Sequence, residues 1–334
     1  MREIVITTNE ANQRLDKFLA KYLDKAPKSF VYKMLRKKNI TLNGKKAEGA
    51  EKLEVSDIIR LFLAEETIEG FKNLMQLPEE LEGSELVELD ILYENEHVMF
   101  INKPAGMLSQ KAQKDDVTLV EYLQAHLLRT KELTPLQLES FKPGICNRLD
   151  RNTSGIIVAG KTLTGLQKMG ELLKNRELDK YYLCIVKGEV KKKQLIDGYL
   201  FKHKNRNKVT ISREPIENAD YIRTEYEPLK TNGKLTLLRV KLITGRSHQI
   251  RAHLQSIGHP IIGDGKYGDI YVNKEMKKKY KLSHHLLHAR ELHLPIMEGE
   301  LASLSEKVVY APVPQIMQSI IEGEFKCHPG IPED

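Results

Sequence analysis

The segment Glu65–Asp90 carries nine acidic residues and a single lysine, and it separates two basic stretches. Residues 1–64 hold 14 Lys and Arg against 8 Asp and Glu; with a net charge of +7 over 334 residues, residues 91–334 are left with +9. Such segregation suggests two modules that each face a polyanion, joined by a connector that avoids it. Pro78, Gly70 and Gly83 fall inside the connector and mark it as the boundary. The expected organisation is a module at 1–64, an acidic linker at 65–90 and a body at 91–325. Basicity alone does not establish nucleic-acid binding, because many cytosolic proteins are mildly basic without it.

With 40% hydrophobic and 30% charged residues the chain can bury a core. Apolar runs such as Ile156–Ala159 are far too short to span a bilayer, and Met1–Val5 shows no signal-peptide pattern. Cys146, Cys184 and Cys327 have no metal-type spacing and cannot all pair. A soluble, cytoplasmic, monomeric protein without membrane contact is expected.

In the first module, Leu15, Phe18, Leu19, Tyr22 and Leu23 recur at helical spacing and predict one apolar face within Asn12–Asp24. A second helix follows Pro27, with Phe30, Val31, Met34 and Leu35 inward and Lys33, Arg36, Lys37 and Lys38 outward. Ile40-Thr41-Leu42 meets the turn pair Asn43-Gly44, and Val55–Leu63 reads as a strand. Two helices followed by short strands, with four cations on the second helix, make a compact basic module of about 60 residues; a small helical cap with a solvated charged face is the alternative. Arg14–Ala20 (R-L-D-K-F-L-A), the basic second helix and Ile40–Lys46 (I-T-L-N-G-K-K) also resemble the S4-type RNA-binding domain. That resemblance implies phosphate contacts from Lys33, Arg36, Lys37 and Lys38.

The body opens with strands at Ile91–Tyr93 and Val98–Ile101, followed by Lys103-Pro104-Ala105-Gly106. Its most informative stretch is Cys146–Lys161, C-N-R-L-D-R-N-T-S-G-I-I-V-A-G-K. Arg148, Asp150 and Arg151 precede a continuous apolar strand, and Thr153-Ser154-Gly155 suits a tight turn. A carboxylate at the mouth of a buried strand, flanked by cations, should stay ionised and fixed in place. On composition alone the plainer reading, a loop Asp pinned by a neighbouring Arg, is the better one. Further on, Leu235–Ile243 reads as a strand, Thr244-Gly245-Arg246 as a turn, and Ser247 as the cap of a helix closed by Gly258. Arg246 thus sits at a strand-to-helix turn, beside a helix N-terminus that favours an anion. A structural ion pair between loops would look the same.

Together these stretches resemble a known family. Asn147–Gly155 (N-R-L-D-R-N-T-S-G) is similar to the catalytic loop of the RluA-type pseudouridine synthases, and Thr244–Asp264 with Tyr267-Gly268 to their second signature. Lys103–Gly106, Lys180–Cys184 and Leu287–Ala289 match weaker motifs of the family, all in its order. The resemblance runs over roughly 90–300, and the ribosomal branches also carry the N-terminal module.

What the resemblance implies is specific. The fold is α+β: a mixed, largely antiparallel central sheet flanked by helices, plus the small basic α/β domain. The reaction isomerises uridine to pseudouridine in structured RNA by cutting the N–C glycosidic bond and rejoining the sugar at C5, with no cofactor, metal or nucleotide. Asp150 starts the reaction, by attack on the sugar or by drawing off a proton, and Arg246 orients it. Tyr182 packs on the base and its hydroxyl helps remove the C5 proton. Arg148 fills the space left by the flipped base. The family most often has His where this chain has Asn147, and Asn cannot titrate. Large-subunit ribosomal RNA is the expected substrate, with transfer RNA as the alternative. A non-catalytic, ribosome-associated RNA-binding factor is a further rival, against which the retention of Asp150 and Arg246 counts.

Three other patterns are set aside or left open. His284, His285, His288 and His293 include an i, i+4 pair but lack the Glu of a zinc helix, so no metal site is expected. Gly263, Gly265 and Gly268 lack the Lys-Ser/Thr of a phosphate loop. Lys187–Lys208, with eight cations and two acids, fits a phosphate-gripping arm or a solvated hairpin equally well.

Overall fold

The computed structural model describes residues 1–7, 9–72, 88–113, 115–203 and 208–326. Pro78, Gly83, Cys327 and residues 204–207 of the Lys187–Lys208 stretch lie outside the described residues. The N-terminal unit runs β1 (Arg2–Val5), α1 (Leu15–Tyr22), α2 (Lys28–Arg36), β2 (Ile40–Leu42), β3 (Lys45–Lys46), β4 (Ile58–Leu61) and α3 (Glu65–Gly70). Its four strands form an antiparallel sheet in the order β1-β4-β2-β3. The predicted helix face is the one buried: Leu15, Phe18, Leu19 and Tyr22 join Val31, Met34 and Leu35 in one core.

The expected linker is corrected at its start. Residues Glu65–Gly70 are helical and belong to the N-terminal unit: Ile68 is fully buried in its core, and Phe71 packs on Phe30 with ring centroids 4.6 Å apart. The acids that suggested a solvated connector are partly used at home, since Arg2 pairs with both Glu65 and Glu69. This unit touches the body, where Ser140 Oγ donates to the buried Glu10 Oε1 at 2.6 Å.

The body contains β5 (Ile91–Glu94), β6 (Val98–Lys103), α4 (Leu119–Arg129), α5 (Pro135–Ser140), β7 (Gly144–Ile145), β8 (Ser154–Gly160), α6 (Leu163–Asn175) and β9 (Asp179–Lys187). It continues through β10 (Gln194–Lys202), β11 (Val209–Ser212), β12 (Asp220–Thr231), β13 (Leu235–Leu242), α7 (Gln249–Ser256), α8 (Ile270–Tyr280), β14 (Leu287–His293), β15 (Val308–Tyr310) and α9 (Gln315–Phe325). Eleven strands make one mixed sheet, β11-β10-β12-β13-β9-β14-β8-β6-β5, with β15 beside β14 and β7 beside β8. Among the described residues of this sheet only β14 and β8 pair in parallel; the other pairs are antiparallel. This is the expected mixed, largely antiparallel sheet flanked by helices.

Apolar side chains on both faces of the central strands explain why the sheet is covered on two sides. In β8, Ile157 and Ala159 enter one core while Ile156 and Val158 enter another. In β9, Tyr182, Cys184 and Val186 face the first core, and Leu183 and Ile185 a third. The parallel pairing of β14 with β8 depends on Gly155. Its φ is +106°, and a Cβ there would lie 2.2 Å from the Ala289 carbonyl oxygen. No helix among the described residues is long and apolar enough to cross a membrane.

Candidate active site

Residues 146–153 form the turn between β7 and β8, and several backbone groups around Asp150 are held. Asn147 binds the middle of β8: its Oδ1 accepts from Val158 N–H at 2.7 Å and its Nδ2 donates to the Ile156 carbonyl at 3.3 Å. The buried Ser109 hydroxyl accepts from Leu149 N–H at 3.1 Å and donates to the Leu149 carbonyl at 2.8 Å. On the other side of Asp150, the Arg151 carbonyl accepts from Gly106 N–H at 2.9 Å and from Lys103 Nζ at 3.1 Å. Lys103 is fully buried and also donates to the Pro104 and Met107 carbonyls. Burial pulls its ammonium down to about 7, against the opposing pull of the Asp150 charge.

The loop leaves Asp150 partly open to a cleft of about 1070 Å³. Among the described residues lining this cleft Asp150 is the only acid, against eight Lys and Arg. Its Oδ2 accepts from Arg251 Nη1 at 2.7 Å, while Oδ1 accepts no hydrogen bond from a described residue. Arg251 lies in α7, a helix buried around most of its circumference, and is itself only 6% exposed. It is fixed from behind by the buried Asp264, with Nε to Oδ2 at 2.7 Å and Nη2 to Oδ1 at 3.0 Å. Burial alone would raise the Asp264 pKa, but the Arg251 guanidinium outweighs it and holds the carboxyl below its usual range.

The expected partner of Asp150 is therefore corrected. Arg246 lines the rim of the cleft but is half exposed and pairs with Asp220, at the start of β12, at 2.9 Å. The turn before α7 sends Arg246 outward, whereas the first turn of the buried helix carries Arg251 inward. The helix also starts one residue later than expected. His248, not Ser247, is its N-cap, and it makes no side-chain capping bond.

Tyr182 lines the cleft from β9, paired with Val240 of β13 and Ala289 of β14. It is 6% exposed, and burial, aided by the nearby Asp150 charge, pushes its hydroxyl well above 10. It remains a neutral phenol. Arg148 is exposed on the cleft lining beside Asp150, and Lys174, Arg176, Lys180 and Lys202 line the same cleft. None of these five forms an ion pair with a described residue. Lys33, Arg36, Lys37 and Lys38 are exposed on α2 and just after it, likewise without ion pairs among the described residues.

The histidine cluster does not converge. His285 Nε2 pairs with Thr153 Oγ1 at 2.9 Å, His288 Nδ1 with Ser154 Oγ at 2.9 Å, and His293 with Glu291 at 3.1 Å. Two of these imidazoles therefore brace the exit of the Asp150 turn. Arg251, Asp264, Ser109 and the bracing role of Lys103 were not singled out from sequence, although Arg251 and Asp264 stand inside the second signature itself. An acid thirteen residues after a helical arginine was the available signal.

Residues 97–256 match the profile of the family described as RNA pseudouridylate synthase. Over 300 residues the chain is 30% identical to an uncharacterized RNA pseudouridine synthase of Mycoplasma genitalium, covering 89% of this chain and 90% of that one. It is 31% identical over 282 residues to the ribosomal large subunit pseudouridine synthase C of Escherichia coli, covering 82% of each. The solved structure of human RNA pseudouridylate synthase domain containing 4 aligns with a TM-score of 0.55 at 23% identity, over 69% of this chain and 91% of that one.

Proposed function

This chain belongs to the RNA pseudouridylate synthase family, and we propose on that premise that it isomerises uridines of large-subunit ribosomal RNA, with Asp150 as the reacting carboxylate. The observation that carries the reading is the single acid in a cleft lined by eight cations. Cations recruit the RNA backbone without regard to sequence, and the one carboxylate among them keeps its Oδ1 open toward whatever the cleft takes in.

Arg251 engages Oδ2 of Asp150, and the free Oδ1 faces the sugar of the flipped uridine. Tyr182, a buried neutral phenol, supplies the flat apolar wall on which the base packs. Arg148, exposed beside Asp150, occupies the gap in the RNA stack. Arg246 acts at the rim on the backbone, exchanging Asp220 for a phosphate. In the N-terminal unit, an S4-type reading of α1, α2 and the four-stranded sheet makes Lys33, Arg36, Lys37 and Lys38 the anchor for structured RNA.

The choice of ribosomal RNA rests on the name of the Escherichia coli relative. Mapping pseudouridines in total RNA from cells with the gene, without it, and with Asp150→Asn in its place tests both parts. Sites lost in the deletion strain should lie in large-subunit ribosomal RNA and should not return with Asp150→Asn. Sites lost only from transfer RNA overturn the substrate, and restoration by Asp150→Asn overturns the role of Asp150.

A further inference from the structure

His248 occupies a backbone conformation that nothing in its own helix repays. At φ 57° and ψ 12° it lies in the left-handed region, where Gly or Asn is favoured, yet as the N-cap of α7 it makes no side-chain capping bond. What the conformation does is deliver the imidazole into the cleft. Nε2 lies 3.9 Å from Asp150 Oδ2, the oxygen that Arg251 already engages.

The proton on that imidazole is assigned by its other neighbour. Nδ1 lies 2.9 Å from the Tyr267 hydroxyl, and the ring stands edge-on to Tyr267 at 5.6 Å. The same hydroxyl accepts Val209 N–H at 2.9 Å, so its own proton is free to point at Nδ1. With Nδ1 accepting, a neutral imidazole carries its hydrogen on Nε2, the side facing Asp150. The ring is neutral: burial lowers its pKa, Arg251 and Lys266 lower it further, and the opposing charges of Asp150 and Asp264 do not restore it.

Resting on the reading of Asp150 given above, we infer that His248 is a positioning residue whose Nε2–H closes onto Asp150 Oδ2 when the uridine enters. Oδ2 is then held from two directions, by Arg251 and His248, and only Oδ1 is presented to the sugar. At 3.9 Å the contact is not yet a hydrogen bond. Catalytic hydrogen bonds are often long without substrate and tighten in the complex.

Three variants of the full-length protein test this: His248→Gly, His248→Gln and Tyr267→Phe. Gly accepts the left-handed backbone and removes the imidazole, so a purely structural residue would be replaced without loss. His248→Gly should keep the wild-type thermal midpoint and hold KM within about twofold, while kcat for pseudouridine formation falls at least about tenfold, a barrier change of about 1.4 kcal/mol. Gln, whose amide donates from the place of Nε2, should recover at least about threefold of that loss. Tyr267→Phe leaves the histidine in place and removes the proton donor to Nδ1, together with the acceptor of the Val209 N–H; at a temperature where it is folded its kcat should fall severalfold. Overturning results are a His248→Gly kcat within twofold of wild type, no gain from Gln over Gly, or an unchanged kcat in Tyr267→Phe. If the wild type itself forms no pseudouridine in ribosomal or transfer RNA, or if Asp150→Asn remains active, the reading of the active site fails instead.

Discussion

Asp264 holds Arg251 by two parallel hydrogen bonds, at 2.7 and 3.0 Å, and thereby leaves Nη1 as the atom that reaches Asp150. The pair is buried, so the geometry of Asp150 is set by a second carboxylate it never touches. A planar, forked guanidinium can hold one carboxylate by two parallel bonds and aim a third N–H at another acid, a geometry the single nitrogen of an ammonium does not reproduce.

Arg251→Lys should therefore lower kcat by about a hundredfold or more, roughly 2.7 kcal/mol of barrier. Arg246→Lys should stay within severalfold of wild-type kcat, because its pairing with Asp220 is exposed and of a kind worth about 0–1 kcal/mol. Steady-state kinetics on the same RNA compares the two. A larger kcat loss at Arg246 than at Arg251 would restore Arg246 as the partner of Asp150.

Asn147 acts on the backbone of β8. In Asn147→Ala the Val158 N–H loses its acceptor and the Ile156 carbonyl its donor, so stability should fall by about 1–2 kcal/mol. Turnover at a temperature where the variant is folded should remain within severalfold of wild type, because the amide carries no proton in the reaction. Urea midpoints together with kcat check both halves.

Burial holds His285 and His288 near 4, well below the ordinary histidine value. The unfolded chain therefore binds protons that the folded chain refuses. The stability this contributes is complete above about pH 6.5 and is lost as pH falls toward 4. Between pH 7.5 and 5 the loss should be on the order of 2 kcal/mol for each histidine. His285→Gln and His288→Gln should each lose less over that interval than wild type. Equal losses in denaturant titrations at the two pH values would show that these imidazoles do not govern the acid limb.

Neutralising Lys33, Arg36, Lys37 and Lys38 together should weaken binding to structured RNA and flatten its salt dependence. The log–log slope should change by up to ~0.7–0.9 for each phosphate that a cation no longer neutralises. With saturating RNA much of the rate should return, because Asp150, Arg251 and Tyr182 all lie in the body. An unchanged slope would make the four a solvated helix face.

Several features were legible because they depend on neighbours in the chain. The buried face of α1 follows from 3.6-residue spacing, and the two-sided burial of β8 from an unbroken apolar run. The expected solvation of Glu65–Asp90 failed at its first turn, because charge composition does not register that Ile68 and Phe71 have a core within reach. The β14–β8 parallel pair and the rest of the strand order depend on contacts between distant segments and were not expected; only a mixed, largely antiparallel sheet was, and that through the family resemblance.

At the site the same division holds. The place of Asp150 between a turn and a buried strand is local information carried by consecutive residues, but those residues alone favoured a plain loop Asp, and its expected role came from the family resemblance. Its partner does not, because Arg246 and Arg251 stand in one short stretch and either could reach an acid about a hundred residues away. A helix rotates its side chains by a set angle per residue, but which of them meets Asp150 depends on how α7 is seated against the sheet. That seating, reached through Asp264 behind Arg251 and Tyr267 behind His248, is a property of packing. Sequence alone determined the chemistry available to this protein, and tertiary structure decided which groups are within bonding distance of one another.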